Sequence, residues 1–349
     1  MKDIIIMTPR TKSPSFANAS LGVTQEENMN KIPLESSSFT KSPYTSPLLL
    51  HAIVGLGLYA VKLAAPSYWL SAASFIEVKW NTLIDYVGLD DINFWVWGTV
   101  LYTFALYWAG GLVYLVMDLT GRPKVLRKYK VQPEANDPPD YSKLRKLLGQ
   151  VLFNQTVVTI PLTYIGGMLQ QSRHPPLREL PSLGKVFIDF VVCMIVFEAV
   201  FYYSHRLLHH PRIYKRIHKI HHEWTSPIAL GAIYCHPIEH VFSNLLPQIV
   251  GLSLMRSHVL TSWLWFTYVL ILTLSDHSGY HLPFFPSPEY HDYHHLMFNG
   301  NYGGGEGFFD WLHGTDVKYR ATLEFQRSHV IMGLSSAREL HPNVSKKQD

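Results

Sequence analysis

The chain has 349 residues, with 30 Lys+Arg, 26 Asp+Glu, 19 His and a formal net charge of +4 at pH 7. Only 16% of residues are charged and 47% are apolar; soluble domains carry about 25% charge, so this balance excludes a disordered or coiled-coil chain and favours one membrane-embedded unit. The mild charge without a basic stripe argues against nucleic acid, and two cysteines, Cys193 and Cys235, exclude a disulfide framework or a cysteine zinc site.

Residues 1–46 are rich in Ser, Thr, Pro, Asn and Lys, with Ser-Pro or Thr-Pro steps at Thr8, Ser13, Ser42 and Ser46. Such a stretch buries too little apolar area to offset its ordering entropy, so it reads as a disordered tail. Four apolar stretches follow, at 47–65, 92–117, 147–169 and 186–203. Spanning about 30 Å takes about 20 helical residues, which these roughly meet. The third carries Asn154, Gln155 and Pro161, so one face of it should be turned into a bundle, and the fourth carries Asp189 and Glu198. Two shorter stretches, 241–256 and 259–275, are separated only by Ser257 and His258 and read as a re-entrant or interfacial hairpin. The fold expected is therefore an all-α integral membrane protein: about four transmembrane helices, that hairpin, and a cytosolic histidine-rich helical cap. Its divisions are a tail at 1–46, a transmembrane hairpin at 47–120, a basic loop at 121–146, a catalytic domain at 147–320 and a C-terminal tail at 321–349.

Charge sets the orientation. Loop 119–146 carries Arg122, Lys124, Arg127, Lys128, Lys130, Lys143, Arg145 and Lys146, whereas loop 66–91 has only Lys79. The positive-inside rule puts the first loop, both termini and everything after residue 203 in the cytosol. The terminal Lys346 and Lys347 then resemble a dilysine retrieval signal of endoplasmic-reticulum membrane proteins.

Fourteen of the 19 histidines fall between residues 205 and 295. They form His205-x-x-x-His209, His218-x-x-His221-His222, His277-x-x-x-His281 and His291-x-x-His294-His295. On a helix, positions i, i+3 and i+4 share a face, so each cluster aims two or three imidazoles at one point. Ten such nitrogens exceed what one metal takes and imply two. Each neutral imidazole has one lone pair for metal and one N–H for an orienting partner; Glu198, Glu223, Asp276 and Asp292 are placed for that task. His210, His236 and His240 are as well suited to structural or orienting roles as to ligation, with His236 the candidate orienting residue among them. The affinity order alone favours zinc or copper over iron(II). Ten imidazoles exceed the three protein ligands of a catalytic zinc, and two redox metals at a membrane face suit oxygen activation against an unactivated C–H bond. Catalysis would need no side chain beyond this metal centre.

The segments HRLLHH (205–210), HKIHHEW (218–224), HPIEH (236–240), DHSGYH (276–281) and YHDYHHLMFNGNYG (290–303) resemble the fatty acid hydroxylase superfamily of membrane di-iron enzymes. HKIHHEW, HPIEH, HSGY and FFDWLHGTD (308–316) are similar to its C-4 methylsterol monooxygenase branch. The resemblance implies two iron ions, with zinc possible in purified protein. It places ligands at His205, His209, His218, His221, His222, His291, His294 and His295, with His277 matching the HSGY histidine; His281 departs from the pattern. It further implies an endoplasmic-reticulum monooxygenase that hydroxylates a membrane lipid, a sterol foremost, with O2. Electrons would come from NAD(P)H through cytochrome b5 and its reductase. Trp95, Trp97 and Tyr107 are candidates to line the lipid cavity. Two alternatives stay open: a fatty acyl or sphingoid hydroxylase or desaturase, and a non-enzymatic regulator of lipid metabolism or signalling that keeps the metal site.

Overall fold

The computed structural model describes residues 55–57, 59–304 and 307–343. The tail at 1–46, residues 47–54 and 58 of the first apolar stretch, and the Lys346–Lys347 pair lie outside them. The described residues are mostly helical and contain no strand, only an isolated antiparallel bridge between Lys130 and Tyr280.

Helix α1 (Pro66–Val87) buries only Trp80 and Ile84, and the Trp80 indole donates to the Leu177 carbonyl at 2.8 Å. Helix α2 (Asp91–Thr120) starts where the Asp90 carboxylate accepts the Asn93 N–H and ends at Gly121, whose φ of 61° turns the chain out of the helix. Its 30 residues reach about 45 Å. The third apolar stretch is a rod of α3 (Tyr141–Phe153), a π-helical turn (Asn154–Thr159) and α4 (Ile160–Gln170). The widened turn points Asn154 inward, where its amide donates to the carbonyls of Ile233 and Cys235 at 2.9 and 3.0 Å. Gln155 accepts the Trp108 indole at 2.7 Å. These polar residues face the bundle, as their presence in an apolar stretch suggested.

Helix α5 (Leu183–Leu208) carries Asp189 near its start, where Lys185 pairs with it and Ser257 donates to it at 2.9 Å. Helix α6 (Leu246–Met255), entered through a second π-helical turn (His240–Leu245), lies along α5. Gly251 permits that approach, since a Cβ there would come 2.8 Å from Cys193 Cα. Helix α7 (Val259–Asp276) returns alongside α2. Among the described residues three helices, α2, α5 and α7, are long and apolar enough to cross a membrane. The sequence suggested a short hairpin arm for α7, but its 18 residues run unbroken from the His258 cap, so its length fits a crossing. The α6–α7 pair still leaves and regains one end of the bundle: Lys185 holds the Met255 carbonyl at 2.9 Å at the start of α5, and His277 follows the end of α7.

The ends of α2, α5 and α7 meet at that histidine-bearing end. There Asp118 of α2 accepts from the Tyr280 hydroxyl at 3.1 Å and pairs with buried Lys130 at 3.4 Å. Helix α8 (Glu289–Met297) lies across this end, and every residue from Glu289 to His295 is buried. A helix buried all round is usually apolar; this one is polar because its histidines face a centre rather than water.

Candidate metal centre

His205 stands in the last turn of α5 and His209 caps it. His218, His221 and His222 lie on a tight 3₁₀ turn (His218–Glu223), His277 caps α7, and His291, His294 and His295 come from α8. Their nitrogens converge on two groups, each within 4.8 Å: His205, His209, His218, His222 and His294 in one, His221, His277, His291 and His295 in the other. Each HxxHH cluster straddles the pair. Residues i and i+4 go to one group and residue i+3 to the other, so the two groups are built as neighbours from shared turns.

The hydrogen bonds fix the tautomers. Nδ1 of His205 reaches the Tyr302 carbonyl at 2.7 Å, His221 that of Tyr234 at 3.2 Å and His277 that of Thr273 at 2.8 Å. Nδ1 of His294 reaches the Gly300 carbonyl at 2.7 Å, and that of His295 the Trp224 carbonyl at 3.0 Å. A carbonyl can only accept, so each of these Nδ1 atoms carries the proton and each Nε2 is a bare lone pair. The fixed lone pairs of His221 and His277 face each other, and those of His205, His277 and His295 face the Nε2 atoms of His218 and His291, each of which has at most one proton to give. His221 and His277 Nε2 stand 3.4 Å apart, His277 and His291 3.0 Å, His291 and His295 3.2 Å. In the other group His205 and His218 Nε2 stand 3.1 Å apart, and His218 and His222 3.0 Å. Facing lone pairs repel unless a cation lies between them. Two nitrogens about 2.1 Å from one metal, at right angles, stand about 3.0 Å apart. The Nε2 atoms of His209 and His294 are buried with no hydrogen-bond partner among the described residues.

Burial also keeps protons off these rings. It holds His221 down at about 4, His277 and His294 at about 3, and His218, His222, His291 and His295 well below the ordinary imidazole value. Neutral imidazoles are what a metal requires. Neither cysteine joins a group; both are buried thiols elsewhere. The residues therefore fit two divalent metals.

His281 is not brought into either group. Its Nε2 meets the His329 carbonyl at 3.1 Å and its Nδ1 the Ser287 hydroxyl at 3.3 Å. The reason is local: α7 ends at Asp276, Gly279 turns with φ 71°, and Tyr280 pairs with Lys130, so the i+4 spacing from His277 is not helical. The expected orienting acids also differ in detail. Exposed Glu223 pairs with Lys146 at 2.8 Å and accepts from the Tyr234 hydroxyl at 2.6 Å, so it reaches His221 only through Tyr234. His277 takes the Thr273 carbonyl rather than its neighbour Asp276. Buried Asp292 accepts from Gln132 at 2.9 Å, and burial raises its carboxyl to about 8. Glu198 faces Gly303 and Gly304. His236 caps the short helix Pro237–Glu239. The orienting acid missed is Glu239, buried and 2.8 Å from His218 Nδ1. Its signal was an acid inside the apolar run after His236-Pro237.

Within the bundle is a cavity of about 370 Å³, lined mostly by apolar side chains of α2, α4, α6 and α7, among them Trp95, Tyr107 and Phe266, and by none of the nine converging histidines. Trp97 does not line it. Ile233 and His240 do; they adjoin Tyr234 and Glu239, which hold His221 and His218.

Comparison with known proteins decides the family. The sequence model described as "Fatty acid hydroxylase" matches residues 190–315. Fatty acid hydroxylase domain-containing protein 2 of Homo sapiens is 40% identical over 284 residues, covering 81% of this chain and 85% of that protein. The chain belongs to the fatty acid hydroxylase family. Fatty acid hydroxylase ahd1 of Mycosarcoma maydis is 38% identical over 255 residues, 72% of this chain and 64% of that one. Methylsterol monooxygenase 2-2 of Arabidopsis thaliana is 32% identical over 261 residues, 71% and 94% of the two chains. Members of the fatty acid hydroxylase family include oxidoreductases such as monooxygenases. All nine converging histidines lie within the matched span. No solved structure matches the chain.

Proposed function

We propose that this protein is a membrane-embedded lipid monooxygenase that hydroxylates an unactivated C–H bond of a sterol, in the manner of a C-4 methylsterol monooxygenase. The observation that carries the reading is the crowding of Nε2 atoms at 3.0–3.4 Å in two inward-facing histidine groups, in a bundle that also encloses an apolar cavity. Iron held by His205, His209, His218, His222 and His294, and by His221, His277, His291 and His295, would supply the chemistry of oxygen activation. The protein's own work is positioning. The backbone carbonyls and Glu239 keep the rings neutral and aimed. The cavity takes the lipid out of water and presents one carbon to the centre, which is where an oriented substrate gains most of its rate.

Electrons would arrive from NAD(P)H through cytochrome b5 and its reductase. The basic segment at 119–146, at the histidine-bearing end, supports a cytosolic position for that end and for both termini in the endoplasmic-reticulum membrane. Similarity to ahd1 supports a second reading, acyl-chain hydroxylation. Lipid profiling of cells lacking the protein separates the two: 4-methylsterols accumulate under the first, and hydroxylated acyl chains change with sterols untouched under the second.

A further inference from the structure

The glycine-rich segment after α8 has a purpose that the histidine spacing does not reveal. Gly303 and Gly304 run between two buried carboxylates. A Cβ on Gly303 would come 2.7 Å from Asp310 Oδ2 and 3.0 Å from Glu198 Oε1, and one on Gly304 3.1 Å from Glu198 Oε2. Only glycine lets the backbone come this close. Asp310, on the short helix α9 (Phe308–His313), is fully buried. Its Oδ1 accepts the Tyr302 N–H at 2.8 Å and the Thr315 hydroxyl at 2.5 Å, and its Oδ2 accepts the Gly303 N–H at 2.5 Å. The same turn closes through its backbone: Thr315 N–H donates to the Asp310 carbonyl at 2.9 Å, and Asn301 N–H to the Thr315 carbonyl at 3.2 Å.

The clamped segment carries the two carbonyls that set ligand tautomers on one side of the centre. Tyr302 O holds His205 and Gly300 O holds His294, both at 2.7 Å. Both rings belong to the five-histidine group. The four-histidine group takes its carbonyls elsewhere, from Tyr234, Thr273 and Trp224.

We propose that Asp310 is a positioning residue for the five-histidine metal site alone, holding Gly300–Gly303 so that His205 and His294 present Nε2 to the metal. This rests on the reading of that group as a metal site. Asp310→Asn keeps the shape but turns an NH2 toward either the Tyr302 and Thr315 donors or the Gly303 N–H, so the clamp opens. Gly303→Ala disturbs the same carboxylate from the other side, and it decides the matter if Asp310→Asn fails to fold.

The test uses the full chain, purified in detergent without a histidine tag, loaded with iron(II) or cobalt(II) and titrated with a chelator. The unaltered chain should hold two metals. In each variant one equivalent should weaken by about 10–100-fold, the cost of losing an orienting partner, while the other equivalent keeps its affinity. With the four-histidine group disabled by His277→Ala, Asp310→Asn should weaken the metal that remains. With the five-histidine group disabled by His205→Ala, it should change nothing. Two equivalents at unaltered affinity in both variants, or both weakened alike with a lowered melting temperature, would overturn the proposal. An unaltered chain that takes up no metal overturns the metal reading itself, and is thereby told apart.

Discussion

Glu239 occupies, for His218, the place that backbone carbonyls occupy for five of its neighbours: 2.8 Å from Nδ1, inside the protein. Burial holds this carboxyl well above the ordinary carboxylate range; ionised against a metal-bound His218, it would make the ring a stronger donor than a carbonyl does. Glu239→Gln should therefore reduce affinity for one metal about 10–100-fold, measured by chelator competition, whereas His281→Ala should leave the metal count unchanged. Acid should act on the whole set. Burial holds the rings of His221 at about 4 and His294 at about 3, against an ordinary value of 6.5. The unfolded chain thus binds more protons than the folded one below about pH 6.5. Metal-free protein should lose stability as pH falls from 6.5 through 4 to 3, and loaded protein should release metal in the same direction. A melting temperature that stays flat over that range would contradict the burial of these rings. The residue identities of the centre were legible because imidazole clusters are rare and dense. Their allocation was not: nothing in His218-x-x-His221-His222 says that its middle histidine serves the other site. His281 shows the limit of spacing, since i+4 counts only while the helix lasts.

Asn154 shows what an element adds. Its stretch was recognisable as an inward-facing helix from its polar residues, but the π-helical turn that aims the amide at Ile233 and Cys235 leaves no simple mark in the residue pattern. The turn widens the rod where residues 233–235 must be held, and Tyr234 in turn holds His221. Asn154→Ala would leave the buried Ile233 carbonyl only the weak Cys235 thiol donor, while Gln150 still serves the Cys235 carbonyl at 3.2 Å, and should cost about 1–3 kcal/mol, seen as a lowered unfolding temperature in detergent. Gly251→Val should cost about as much by a different route. Its side chain would press on the Cys193 backbone 2.8 Å away, which cannot swing aside as a flexible side chain can. If Gly251→Val melts like the unaltered chain, α5 and α6 are not packed as closely as described. The extent of α7 was legible to within a residue, 259–275 against Val259–Asp276; composition alone did not separate a re-entrant arm from a helix whose length fits a crossing.

At the scale of the whole molecule, the metal groups and the cavity have separate walls, so occupancy of one can be changed without the other. Gly166 lines the cavity, and a Cβ placed on it meets no atom within 4 Å. A large side chain there should be accommodated without strain and should take up space in the 370 Å³ otherwise open to a lipid. Gly166→Trp should therefore keep two metals per chain and an unchanged melting temperature, yet lower lipid turnover by about 100-fold, because a substrate displaced by an ångström loses its alignment with the centre. Gly149→Phe is the matched control: its Cβ also meets nothing within 4 Å, but it does not line the cavity, and turnover should be unaffected. A Gly166→Trp protein with full turnover would mean that the lipid reaches the histidines by another path, and the role assigned to the space between α2, α4, α6 and α7 would fall. A double variant of His294→Ala and His295→Ala separates chemistry from scaffolding in the same assay. It removes one ligand from each group, and full rescue of a deletion by it would show that the fold, rather than its metals, serves the cell.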